Sequence, residues 1–208
     1  MVEDSEQEHI ARALIMKKEE LFERLRRNTR EQFDMPDMHI DGITYPNLFG
    51  QFRQMTETVG GKVVVAKKTD DLNQIIRNLY PDAHAFASDL PYINIAQKNP
   101  DTVADAAELN GTDVGIVQGA FGVAENACIW IPQTMKEKAV CFISEYLVVV
   151  LDRQNIVNNM HEAYARIDMD ARYNFGTFIS GPSKTADIEQ SLVIGAQAAR
   201  SITVLILE

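Results

Sequence analysis

The chain has 208 residues, 46% apolar and 24% charged, an ordinary globular composition that is long enough to bury roughly 70% of its unfolded surface. Lysine and arginine total 20 against 30 acidic residues, and the resulting charge of −10 argues against nucleic acid and membrane surfaces as partners. Two cysteines, Cys128 and Cys141, fall short of the about four thiolates that an iron–sulfur cluster takes, so no cluster is expected here.

Residues 5–32 read as an amphipathic helix. Ala11, Leu14, Ile15, Leu21, Phe22 and Leu25 recur at helical spacing, and the methylene stem of Lys18 completes the stripe. Glu20/Arg24 and Glu23/Arg27 add favourable pairs four residues apart. The stripe needs a partner, either the chain's own sheet or a second copy, which makes it the candidate contact for a homo-oligomer. Two prolines and a glycine mark 34–46 as a linker, so 1–46 form an arm and 47–208 an α/β domain.

A helix over 48–58 is stopped by Gly60-Gly61 and followed by a strand at 62–66. Asp70-Asp71 opens a helix to about Leu79, with Leu72, Ile75, Ile76 and Leu79 on one face. The polar stretch 93–111 holds a short helix at 101–109. Four β-rich runs follow at 113–118, 127–131, 139–143 and 146–151, their apolar residues in blocks as in strands covered on both faces. Next are predicted a helix over 152–167, a polar loop at 168–174, a strand at 177–180, a helix over 185–194 and a last strand at 202–207. The longest apolar stretch, 139–151, is broken by Ser144-Glu145 and is too short to cross a bilayer. The opening Met-Val-Glu-Asp carries no apolar run behind it, and a cytoplasmic protein is expected.

The densest cluster of polar chemistry is Ser180-Gly181-Pro182-Ser183-Lys184-Thr185-Ala186-Asp187-Ile188-Glu189. If a strand ends at Gly181-Pro182 and a helix begins, unpaired N–H groups and the positive end of the helix dipole offer an anion site. The plainer alternative is a capped helix, with Ser183 or Thr185 as cap and Asp187 and Glu189 in the first turn. The loop after 113–118 carries Gly119, Gly122, Glu125 and Asn126; its glycines suit either close ligand approach or tight turns. A carboxylate as apolar in its neighbourhood as Glu125 must be paired or hydrogen-bonded, at a working site or at a bend. Arg200, before the last strand, suits a bidentate carboxylate or plain solvation. Trp130 reads as packing, and His9, His39, His84 and His161 lack zinc-ligand spacing, so no metal is expected.

The 180–189 segment resembles the Ser-Gly-Pro-Ser-x-Thr-Ala-Asp-Ile-Glu signature of the LUD (lactate-utilisation) domain of LutC/YkgG-like proteins. Two looser likenesses accompany it over about residues 45–208. Ala124-Glu125 stands where the family carries Ala-Glu-Thr-Gly-Thr, here continued by Asn126-Ala127-Cys128. Gly195 to Arg200 stands where it carries Gly-Val-His-Gly-Pro-Arg, here with Ala196-Gln197-Ala198-Ala199 between. The resemblance implies a three-layer, mainly parallel sheet with helices on both faces, related to the NagB/RpiA/CoA-transferase-like fold, with ligands beyond the carboxyl ends of the strands. It also implies a non-redox component of bacterial L-lactate oxidation to pyruvate, without a cofactor of its own, beside separate iron–sulfur subunits. Its ligand would be a small carboxylate or phosphate held by Ser180, Gly181, Ser183, Lys184 and Thr185, with Asp187, Glu189, Gly119, Gly122, Asn126 and Arg200 around it. The alternative is a transferase- or ligase-like enzyme of the same superfamily, with Glu125 as nucleophile or base. The missing Thr-Gly-Thr and His-Gly-Pro donors favour the binding role.

Overall fold

The computed structural model describes residues 18–28, 40–168, 173–188 and 191–208, in two units, 1–40 and 41–208. In the first unit α1 (Lys18–Asn28) has Glu19 and Glu20 in its first turn and Arg26 and Arg27 in its last, the order the helix dipole favours. The rest of the predicted helix over 5–32 lies outside the described residues.

The second unit begins with a segment tied down by side-chain amides. The Tyr45 N–H donates to Asn158 Oδ1 (2.9 Å), and Asn159 Nδ2 donates to the Ile43 carbonyl (2.9 Å). Helix α2 (Leu48–Thr58) starts where Asn47 Oδ1 accepts from the Gly50 N–H. It ends in a Schellman motif: the Gly60 N–H donates to Glu57 and the Gly61 N–H to Thr56, with Gly60 at φ 92°. Strand β1 (Lys62–Ala66) follows, then α3 (Leu72–Leu79), capped by Asp71 as its sequence predicts. In chain order come β2 (Phe86–Ala87), β3 (Val114–Gln118), β4 (Phe121–Val123), β5 (Ile129–Pro132), α4 (Val140–Ile143), β6 (Tyr146–Asp152), β7 (Ile156–Val157) and α5 (Met160–Ala165). The chain closes with β8 (Gly176–Ile179), β9 (Lys184–Ile188), β10 (Ser191–Ile194) and β11 (Ser201–Leu207).

Five strands form an all-parallel central sheet in the order β1-β11-β6-β3-β2. The apolar blocks of β6 and β11 divide strictly by face. Leu147, Val149 and Leu151 join Ile202, Val204 and Ile206 in one cluster, whereas Val148, Val150 and Leu205 enter the other. The first face is covered by α2, α4 and a second sheet of order β7-β4-β5-β8; the second face packs on α3 and on Ile93 and Ile95. This is a mixed α/β fold built on a mainly parallel sheet, as the sequence implies, but much of one cover is itself β-structure.

Three predicted elements are corrected. The run 139–143 is helix α4, because four apolar residues in a block carry no period that separates strand from helix. The helix expected over 152–167 is a 3-10 turn (Arg153–Asn155), then β7, then only Met160–Ala165. The break falls at the Asn158-Asn159 pair, whose side chains bond locally and restart a helix, Asn159 Oδ1 accepting from the Glu162 N–H (3.0 Å). The helix expected over 185–194 is the antiparallel pair β9–β10. Thr185, Ile188, Val193 and Ile194 are β-branched, and Gly195 at φ 81° ends the second strand, so local stiffness outweighs the acidic first-turn signal. Glu189 lies outside the described residues. The short strands β2 and β4 were not anticipated, β4 falling inside the predicted 119–126 loop.

Just past β2, the Asp89 Oδ1 is buried with no hydrogen-bond partner among the described residues, and burial raises this carboxyl above its usual 3.8. A raised folded value contributes stability that is complete below about 3.9 and lost as pH climbs through the raised value. Asp89→Asn should therefore raise the melting temperature at pH 7 and lose that advantage below about pH 4. Melting curves across pH 3.5–8 check this, and an Asn variant less stable at pH 7 would contradict it. Among the described residues no helix is long and apolar enough to cross a membrane.

Candidate functional site

The segment 180–184 leaves β8 and is fastened on three sides. Ser180 Oγ donates to the Asn126 carbonyl (2.7 Å). Lys184 Nζ donates to the Val59 carbonyl at the end of α2, where a cation also meets the negative end of the helix dipole. The Ser183 N–H donates to the Ala199 carbonyl (2.9 Å), and the Ser183 carbonyl accepts from the Gly195 N–H (3.0 Å). Gly181 turns the chain at φ 64°, where an added Cβ would lie 2.7 Å from the Val59 carbonyl oxygen. Pro182 is buried, with its ring at the position of Gly60.

Beside this loop is a cleft of about 400 Å³. The loop forms one wall, Gln197, Ala198 and Ala199 another, and Leu147 and Ile202 lie at its base. Phe142 and the β8 strand close the sides. Leu147 and Ile202 are the second residues of β6 and β11. The cleft thus sits at the amino half of the parallel strands, not beyond their carboxyl ends as expected. The reason is the antiparallel pairing of β8 with β5, which delivers Ser180 next to Asn126, together with the Ser183–Ala199 bond, which ties the loop to the segment entering β11. No helix begins here, so the expected helix-dipole contribution is absent; the polar groups at the loop are Ser180, Ser183, Lys184 and the backbone. Cys141 also borders the cleft, but burial pushes its thiol up to about 12, which keeps it protonated and non-nucleophilic.

The other expected site residues are dispersed. Gly119 packs close: its N–H donates to the Val150 carbonyl (2.8 Å), and an added Cβ would meet Ile129 Cγ2 at 2.6 Å. Gly122 lies in β4 under the Phe52 ring. Asn126 Oδ1 accepts from the Cys128 N–H (3.0 Å), shaping the turn that receives Ser180. Glu125 is exposed and its Oε2 accepts from the Met160 N–H (2.9 Å) at the first turn of α5; it does not line the cleft. Arg200 pairs with Glu145 (2.8 Å), lies over the Tyr146 ring and donates to its hydroxyl, at another cleft shared with Lys62 and Tyr80. Thr185 and Asp187 fall in β9. Gln197, Phe142, Leu147 and Ile202 were not anticipated as lining residues. The sequence signal for that wall is the Gly195–Arg200 likeness, which contains Ala196-Gln197-Ala198-Ala199.

A sequence profile of the LUD domain matches residues 50–207. The chain belongs to the LUD domain family. A curated relative, lactate utilization protein C of Shouchella clausii (strain KSM-K16), is 29% identical over 102 residues, a stretch covering 47% of this chain and 44% of that protein. The chain thus matches less than half the length of that relative. A crystal structure of a DUF162 family protein from Deinococcus radiodurans superposes with a TM-score of 0.59 over 80% of this chain and 100% of the other, at 14% identity, which supports the fold.

Ala127 has φ 56°, the left-handed region that costs a non-glycine residue roughly 1–2 kcal/mol. Ala127→Gly should relieve that strain and, after the larger unfolded-state entropy of glycine, raise stability by up to about 1 kcal/mol in urea titration. Destabilisation instead would mean that the buried Ala127 methyl is worth more than the strain.

Proposed function

We propose that this LUD domain serves L-lactate utilisation as a non-redox component that holds a small carboxylate in the cleft between residues 180–184 and 197–199. The observation that carries the reading is the meeting of two separate family-like segments at one cleft, joined by the Ser183–Ala199 hydrogen bond. The relative's name supplies the lactate context. Lys184 gives the wall a cation within a chain of net charge −10, and Ser183 adds a hydroxyl. With only two cysteines in this chain, the reading leaves the electron-carrying step to separate iron–sulfur subunits.

Thermal denaturation with L-lactate, pyruvate and phosphate tests this reading. A ligand at about 100 times its Kd stabilises by about 2.7 kcal/mol, or roughly 5–10 °C for a domain of this size. Lys184→Gln should remove the shift while Glu125→Gln leaves it, because the glutamine oxygen still accepts from the Met160 N–H. A shift lost with Glu125→Gln and kept with Lys184→Gln would overturn the assignment.

A further inference from the structure

The cleft has one wall that a small anion does not use: the free edge of a strand. In the second sheet β8 is outermost, paired with β5 on one side and with no strand on the other among the described residues. The direction of its backbone groups follows from the register. The Trp130 carbonyl accepts from the Ala120 N–H on the β4 side of β5, so Trp130 and its cross-strand partner Phe178 form a non-hydrogen-bonded pair. The N–H and C=O of Phe178, and those of Gly176 two residues earlier, therefore point away from β5, towards the open edge. Thr177, Phe178 and Ile179 all border the cleft. Natural edge strands are protected by lysine, proline or bulges, and Gly176-Thr177-Phe178-Ile179 carries none of these.

The cleft floor is apolar at Leu147 and Ile202, with Phe142 at the side, and the cation Lys184 stands beyond the end of β8. A volume of about 400 Å³ is that of a drug-sized ligand, larger than a three-carbon acid needs. We propose that the cleft receives an extended peptide segment, added to β8 as a further strand, with a terminal carboxylate at Lys184. The inference rests on the anion-holding cleft proposed above and names its partner class. Strand pairing supplies backbone hydrogen bonds, alternate side chains of the peptide face Leu147 and Ile202, and a single carboxylate suits the local cation despite the overall negative charge.

The test uses the full chain and a pooled library of labelled hexapeptides in which threonine alternates with valine, isoleucine, leucine or phenylalanine. One pool ends in a free carboxylate and the other in a carboxamide, and binding is read by fluorescence anisotropy. The carboxylate pool should bind about tenfold tighter, with the difference lost in Lys184→Gln. In the best single peptide, N-methylation at alternate positions should separate by parity. One parity loses about thirtyfold through missing strand hydrogen bonds, and the other changes little. Equal loss at both parities, equal binding of the two pools, or no binding of either would overturn the proposal. So would a dimer in sedimentation velocity that excludes the peptide, since the edge would then be an interface between copies. A thermal shift with L-lactate but no peptide binding leaves the small-anion reading standing and removes this one; peptide binding without a lactate shift does the reverse.

Discussion

Phe52→Ala should cost about 3–5 kcal/mol, roughly a fifth or more of the stability of an ordinary domain, because it empties the place where the two sheets and α2 meet. Phe52 is completely buried, and its ring occupies the space left by the missing side chain of Gly122: a Cβ there would lie 2.8 Å from Phe52 Cε2 and 2.9 Å from Leu151 Cδ2. Gly122→Ala alone should therefore cost about 1–3 kcal/mol through overpacking. The two changes should not add. In the Phe52→Ala background the methyl at position 122 enters the vacated volume, so the double variant should be more stable than the sum of the two by more than 0.5 kcal/mol. Urea titration followed by the fluorescence of Trp130, the chain's one tryptophan, measures this directly. Additivity within about 0.5 kcal/mol would mean that the ring and the glycine are not in contact.

Gly181→Val is the second large effect, and it ties structure to the proposed binding. The residue sits at φ 64°, which costs a side-chain-bearing residue roughly 1–2 kcal/mol. The new Cβ would also press on the Val59 carbonyl oxygen at 2.7 Å and on Val59 Cγ2 at 2.8 Å. That carbonyl is the acceptor for Lys184 Nζ, so relieving the clash moves the lysine from the cleft wall. A loss of about 2–4 kcal/mol in stability is expected, together with loss of the ligand-induced thermal shift. Gly60→Ala is a useful comparison. It too strains a left-handed residue, at φ 92°, but an added Cβ would meet only Pro182 at 3.5 Å and Lys184 Nζ at 3.8 Å. It should lose stability and keep the shift. Loss of the shift in both variants would reduce the effect to general destabilisation.

Much of the frame is legible in the chain because its causes are local. Asp71 caps α3 through the N–H groups of Asn73 and Gln74, and Gly60-Gly61 closes α2, each within a few residues of the signal that announces it. The apolar blocks at 146–151 and 202–207 are strands buried on both faces, as their lack of alternation implies. The errors fall where the local signal is short or conflicting. Four apolar residues at 140–143 fit strand and helix equally. In 185–194 the acidic residues expected in a helix first turn lie among β-branched ones, and pairing across the hairpin decides for strand.

The site divides in the same way. The Ser-Gly-Pro-Ser-Lys segment and the family it signals are properties of the sequence, since they depend on residue order alone. Sequence also fixes Gly181 as a glycine position in a turn, for steric reasons internal to the backbone. Which residues share a cleft was decided by tertiary structure. Ser183 meets Ala199 because β8 returns antiparallel to β5 and β11 begins beside it, and neither pairing has a signal within hydrogen-bonding range along the chain. The same pairings separate Glu125 and Arg200 from that loop, giving one to the first turn of α5 and the other to Glu145 and Tyr146. Spacing along a chain reports what a residue does to its neighbours in sequence; strand order and register, set by burial of two apolar faces at once, determine which distant residues meet.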